Sequence, residues 1–163
     1  MNKKTGLVLI IGSLLSGCTL SEHPATTAVT AIQGVYSDNS SQYGYIKSFP
    51  HPAGEGVSAD KLRQCVLSTR AAQRLSAVGN GFSGQTTYTV NRMGAPVPFV
   101  VNFTLQVSET SSQRNYVFSQ ITQAPEEGKS VTSDAWVTAN PAQVVGTFNN
   151  VSTDINRCLS HPS

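Results

Sequence analysis

The chain has 163 residues, room for one ordinary domain, and its 39% hydrophobic share suits a globular protein with a modest core. Charged residues make up only 12%, and the formal charge is +2. Lys3 and Lys4 lie in a segment expected to be removed, which leaves nine basic residues against nine acidic ones. With no surplus cation to displace counterions from phosphate, nucleic acid is not an expected partner.

The first seventeen residues read as a signal peptide: a positive Met1-Asn2-Lys3-Lys4, ten apolar residues from Gly6 to Leu15, then small residues Ser16 and Gly17. The apolar stretch falls well short of the roughly 20 residues that span a bilayer as a helix. Its ending, Leu15-Ser16-Gly17-Cys18, resembles the lipobox of bacterial lipoproteins. That resemblance implies cleavage between Gly17 and Cys18 and lipidation of the Cys18 thiol, so membrane lipid is a partner through the acyl chains. A diacylglycerol suffices, because stable anchoring takes about two chains. In enterobacterial lipoproteins an Asp after the cysteine commonly retains the protein in the inner membrane. Here Thr19 stands there, so the expected location is the outer membrane, facing the periplasm.

Residues 18–57 read as a lipid-anchored, disordered tether, rich in Ser, Thr, Ala, Gly and Pro. As a flexible coil, about 39 residues reach roughly 35 Å, enough to hold a domain clear of the headgroups. Tyr36, Tyr43, Tyr45 and Phe49 cluster within it, and are expected to form an extra strand or to pack on the domain. Phe49-Pro50-His51-Pro52 is expected to break regular structure.

The globular domain is expected over 58–163. Ser58 is a good N-cap with Asp60 in the first turn, and the spacing predicts a helix to about Ser76. Arg63, Arg70 and Arg74 would then form one basic seam, a possible interaction surface for acidic headgroups, though a plain solvated face is the commoner outcome for such a stripe. Strands are predicted over Phe82–Asn91, Pro98–Ser108 and Asn115–Gln123, and a fourth over Val131–Thr138 with Trp136. The second is the clearest: Phe99, Val101, Phe103, Leu105 and Val107 alternate with polar neighbours, one face on a core and one wet. That wet face, Asn102 to Ser108 beside Ser83, Gln85, Thr87 and Thr89, could dock a glycan or another sheet. Turns are predicted at Met93-Gly94-Ala95-Pro96, over Glu109–Arg114 and over Pro125–Lys129.

Asn140 as N-cap, Pro141 in the first turn and Gln143 announce the last helix. Val144, Val145, Phe148, Val151, Ile155 and Leu159 fall on one arc, and Gly146 within it suggests close packing. The fold class is therefore α+β: a two-layer sandwich of helix, three or four antiparallel strands and helix, with both helices on one sheet face.

Two cysteines remain, Cys65 and Cys158, one on each helix. In an oxidising compartment they are expected to form a disulfide. They make neither a C-x-x-C motif nor a zinc set. His23 and His51 fall in the tether and His161 near the C-terminus, outside the positions where a scaffold holds a general base. Glu126-Glu127 reads as a solvated turn, and a meeting of Glu109 with Asp134 is open. No metal, no cofactor and no catalytic residue is expected. The leading expectation is a non-enzymatic cell-envelope lipoprotein, its domain a protein-binding subunit or adaptor of a membrane assembly. The alternative is a periplasmic or surface inhibitor or ligand binder acting on a soluble enzyme or glycan. A hydrolase assembled from scattered acids ranks third.

Overall fold

A computed structural model describes residues 29–37, 45–54, 56–125, 133–134 and 141–161. The signal segment with Gly17 and Cys18, His23, the turn after Pro125, Trp136 and the Asn140 cap lie outside the described residues. In chain order the elements are β1 (Val35–Ser37), β2 (Tyr45–Pro52), α1 (Ala59–Ser68), β3 (Gln73–Val78), β4 (Gly81–Arg92), β5 (Ala95–Glu109), β6 (Gln113–Pro125), β7 (Ser133–Asp134) and α2 (Pro141–Ser160).

Every strand pair is antiparallel, and the sheet runs β1-β2-β6-β5-β4-β3, with the two-residue β7 beside β6. The class is α+β as expected, but the sheet has six strands on its main path instead of three or four. Two of those strands precede α1.

The alternation in β5 sets the layers. Phe99, Val101, Phe103 and Leu105 are buried, while Asn102 and Thr104 face outward opposite Gln85 and Ser83 of β4. On the inner face Phe118 stacks on Phe148 of α2, with centroids 4.5 Å apart, and meets Phe103 and Phe49 edge-on. Val144, Phe148, Val151, Ile155 and Leu159 of α2 are all buried in this core. Cys65 and Val66 of α1 join the same cluster, and Cys65 is bonded to Cys158 with Cα atoms 5.7 Å apart. A sheet standing between the helices would forbid that bond, so both helices cover one face.

Three expectations are corrected. First, the domain begins before Ser58. The stretch read as tether carries β1 and β2, and buries Val29, Val35 and Phe49. Of the aromatic cluster, Phe49 is buried and Tyr45 packs partly buried against the core, Tyr36 is exposed, and Tyr43 lies outside the described residues; Pro50 and Pro52 sit inside a strand. The Ser48 N–H donates to the Gly34 carbonyl beside β1, so the even-numbered residues of β2 direct their backbone groups toward the β1 side. β1 ends its pairing at Lys47, leaving Pro50 and Pro52 with their missing donors at a free edge, where proline costs no ladder bond.

Second, α1 begins as expected, with Ser58 Oγ accepting from the Lys61 N–H at 3.2 Å, but stops at Ser68 and not near Ser76. Asp154 of α2 captures the exit: its carboxylate accepts from Thr69 Oγ1 at 2.6 Å and from the Arg70 N–H at 3.0 Å. The chain then turns into β3, so Arg63, Arg70 and Arg74 form no seam. Arg63 is on α1, Arg70 in the turn and Arg74 on β3.

Third, Gly146 is exposed, and a Cβ there would meet nothing within 4 Å, so no close packing demands glycine.

Candidate functional site

Three places gather polar chemistry. The first lies under the helices where β2, β6 and α2 meet. His51 of β2 pairs in register with Arg114 of β6, so both side chains point to the helix face. Arg114 is buried. Its Nε donates to Glu109 Oε2 at 2.9 Å and its Nη1 to Asn156 Oδ1 at 3.2 Å, while Nη2 has no partner among the described residues. Glu109 is thus committed to Arg114. His51 stands edge-on to Tyr116, and its Nε2 lies 3.3 Å from Ser152 Oγ. Burial, then the nearby Arg114 charge, holds the His51 pKa below its ordinary value, which keeps the ring neutral near pH 7.

A histidine beside a serine invites comparison with a nucleophile and its base, and the geometry answers it. Ser152 is fully buried, and its hydroxyl donates to the Asn149 carbonyl at 3.1 Å, one turn back in α2. With its proton on the Asn149 carbonyl, the serine is placed to accept from His51 Nε2, and among the described residues no carboxylate orients the ring. This cluster fastens α2 to the sheet. His51 is not in a tether, contrary to the expectation. Its signal was the aromatic company of Tyr45 and Phe49, which marks packing.

The second place is the outer sheet face. Gln85 Nε2 donates to Asn102 Oδ1 at 2.7 Å, and Asn102 Nδ2 donates to Thr122 Oγ1 at 3.3 Å, a polar ladder across β4, β5 and β6. Two irregularities flank it. Arg74 (φ 50°) and Gln120 (φ 51°) are non-glycine residues in the left-handed region, and each sits where the register slips. Such bulges re-aim side chains. Here Arg74 and Gln120 both line one shallow groove of about 300 Å³ with Ser83, Gln85, Asn102 and Thr104. Arg74 is exposed and has no carboxylate partner among the described residues. Of the three arginines singled out in the sequence, it is the one placed beside other binding-competent groups. Arg70 instead lines a separate surface depression with Asp154 and Arg157. There the Thr69 hydrogen bond, foremost, holds the Asp154 pKa below its ordinary value.

The third place is a cleft of about 540 Å³ along the edge of β2 beyond its pairing with β1; Lys47, opposite Phe118 in the register, enters that edge from the helix face. Gln33, Gly34 and Tyr36 line it together with Ser48 and Pro50 of β2 and Gln113 and Asn115 of β6. Lys47 also lines it, although only 5% exposed; its Nζ donates to the Ser48 carbonyl at 2.7 Å and lies 4.0 Å from the Phe49 ring centroid. No sequence pattern pointed to Lys47. A lone lysine in a polar stretch carries no signal until the strand that buries it is known.

Among the described residues, no three His, Cys, Asp or Glu side chains converge as a metal site, and no helix is long and apolar enough to cross a membrane.

No family model matches this chain, and no curated protein matches it. Among solved structures it is similar to the crystal structure of a DUF4468 family protein from Bacteroides ovatus ATCC 8483, with a TM-score of 0.52 and 10% sequence identity. The match covers 80% of this chain and 93% of that one, and at this identity it speaks for a common fold alone.

Proposed function

We propose that this chain is a non-enzymatic cell-envelope lipoprotein, lipid-anchored through Cys18 at the periplasmic side of the outer membrane, whose domain serves as a protein-binding subunit or adaptor. The lipobox-like Leu15-Ser16-Gly17-Cys18 supports the anchoring. The observation that carries the binding role is the two-sided sheet. Both helices cover one face, while the other presents a polar ladder and the Arg74–Gln120 groove. An adaptor needs a rigid surface that displays adaptable hydrogen-bonding groups, and strands supply it with little ordering cost on association.

Affinity purification of the tagged full chain from cross-linked membranes tests this reading. A membrane protein should be recovered with the wild type and lost with Thr104→Arg, a change on the outer face that leaves the core side of β5 untouched. Recovery of the same protein at equal yield with Thr104→Arg would remove the outer face as the docking surface.

A second reading, a ligand-binding envelope lipoprotein, is favoured by one specific observation: a cleft of ligand size at the β2 edge, lined by a buried lysine.

A further inference from the structure

The ammonium of Lys47 is taken out of water, yet its contacts are a backbone carbonyl and an aromatic face, neither of which carries a full negative charge. No carboxylate lies within ion-pair distance of it among the described residues. Buried cations are ordinarily paired, because desolvation without a counter-charge is costly. Burial accordingly lowers the Lys47 pKa from its ordinary value. The chain around it keeps the seat open. Gly34 has φ +75°, and a Cβ there would stand 2.7 Å from both Lys47 Nζ and the Ser48 carbonyl oxygen, so any larger residue would displace the ammonium.

The rest of the cleft says what kind of anion fits. An extended peptide would need ladder partners at the free edge of β2. There Pro50 and Pro52 have no N–H, and the Ser48 carbonyl already accepts from Lys47. What the cleft does offer is side-chain amides from Gln33 and Gln113, able to donate and accept, the Asn115 Nδ2 donor, whose partner oxygen accepts from Ser48 Oγ, and the ring of Tyr36, 57% exposed. Amides match hydroxyl groups, an exposed ring matches the C–H face of a pyranose, and the unpaired ammonium matches a carboxylate.

We infer that this cleft binds an acidic saccharide, its carboxylate on Lys47, its hydroxyls on Gln113 and Asn115, and its ring against Tyr36. The inference rests on the ligand-binding reading and names its ligand class; it is independent of the adaptor reading.

The test is calorimetric titration of the full chain in detergent, with amide chemical shifts followed in parallel. The probes are disaccharides of galacturonic and glucuronic acid, each beside its uncharged parent sugar. The acidic sugars should bind at least tenfold more tightly than their parents, with shifts at Gly34, Ser48 and Asn115. Lys47→Met should abolish that preference, Tyr36→Ala should weaken binding of every sugar, and Arg63→Met on α1 should change nothing. Tyr36 is exposed, so its variant keeps the test valid even if Lys47→Met unfolds. Equal binding of neutral sugars, with shifts in the cleft, would overturn the acidic class while leaving the ligand-binding reading standing. Cleft shifts with a glutamate-rich peptide and none with sugars would reassign the site to protein. No cleft shift with any probe would overturn the inference and the ligand-binding reading together.

Discussion

Replacing Cys65 and Cys158 together by alanine is expected to lower the thermal midpoint by at least about 10 °C, with the native sheet retained at low temperature. The bond closes a separation of 93 residues, which in chain-entropy terms stabilises by roughly 4–5 kcal/mol. It joins the two helices where they have little else in common. α1 is only ten residues long and buries just Cys65 and Val66, so its own packing holds it weakly. The other hydrogen bonds between the two ends run from Thr69 and Arg70 to Asp154 and from Lys61 Nζ to the His161 carbonyl, and all are exposed or partly so. α1 should therefore be the first element to loosen once the bond is cut. Scanning calorimetry with and without reductant measures the loss, and hydrogen exchange locates it. An unchanged midpoint, or protection lost in β5 before α1, would contradict this picture.

Phe118→Ala is expected to cost about 3–5 kcal/mol, enough to unfold a large fraction of a domain of ordinary stability. Phe118 is fully buried at the hub of four rings: it stacks on Phe148 and meets Phe49 and Phe103 edge-on. These neighbours come from β2, β5 and α2, so the cavity would open where three elements meet and none can collapse into it alone. Phe118→Leu should cost much less, and Tyr36→Ala, at an exposed ring, should leave stability within about 0.5 kcal/mol of wild type. Urea titration of the three variants gives the ranking. A Phe118→Ala midpoint equal to that of Tyr36→Ala would refute the aromatic hub.

The parts of this fold that were legible in sequence are those whose neighbours do not alter the local period. α2 has an unbroken apolar arc, and all but Val145 of the six residues on that arc are buried. β5 alternates without interruption through its middle, and its outward Asn102 and Thr104 meet Gln85 and Ser83 as expected, whereas Thr87 and Thr89 stand opposite Val100 and Pro98. β6 is less clear for a physical reason. The bulge at Gln120 switches the inward set from Arg114, Tyr116 and Phe118 to Ile121 and Gln123, so no single period fits the strand.

Where tertiary contacts decide, local pattern misleads. Ala71, Ala72 and Leu75 continue the spacing of α1, but Asp154, 85 residues away from Thr69, ends the helix. Pro50 and Pro52 read as breakers because nothing local reveals that β2 runs along a free edge. The same gap hides the candidate sites. Lys47 and His51 are placed by β2, and Arg74 acquires its groove only after the helix has stopped. The cysteine pairing was legible because only two cysteines lie beyond Cys18, which leaves one combination.

Anchoring through Cys18 is the claim on which the envelope role depends, and intact-mass and peptide mass spectrometry of the chain purified from cell membranes tests it most directly. The protein is expected to begin at Cys18, the cysteine to carry a diacylglycerol, and Cys18→Ser to leave an uncleaved, unlipidated product. An unmodified Cys18 within a longer polypeptide, or a wild-type amino terminus at any other residue, would contradict it.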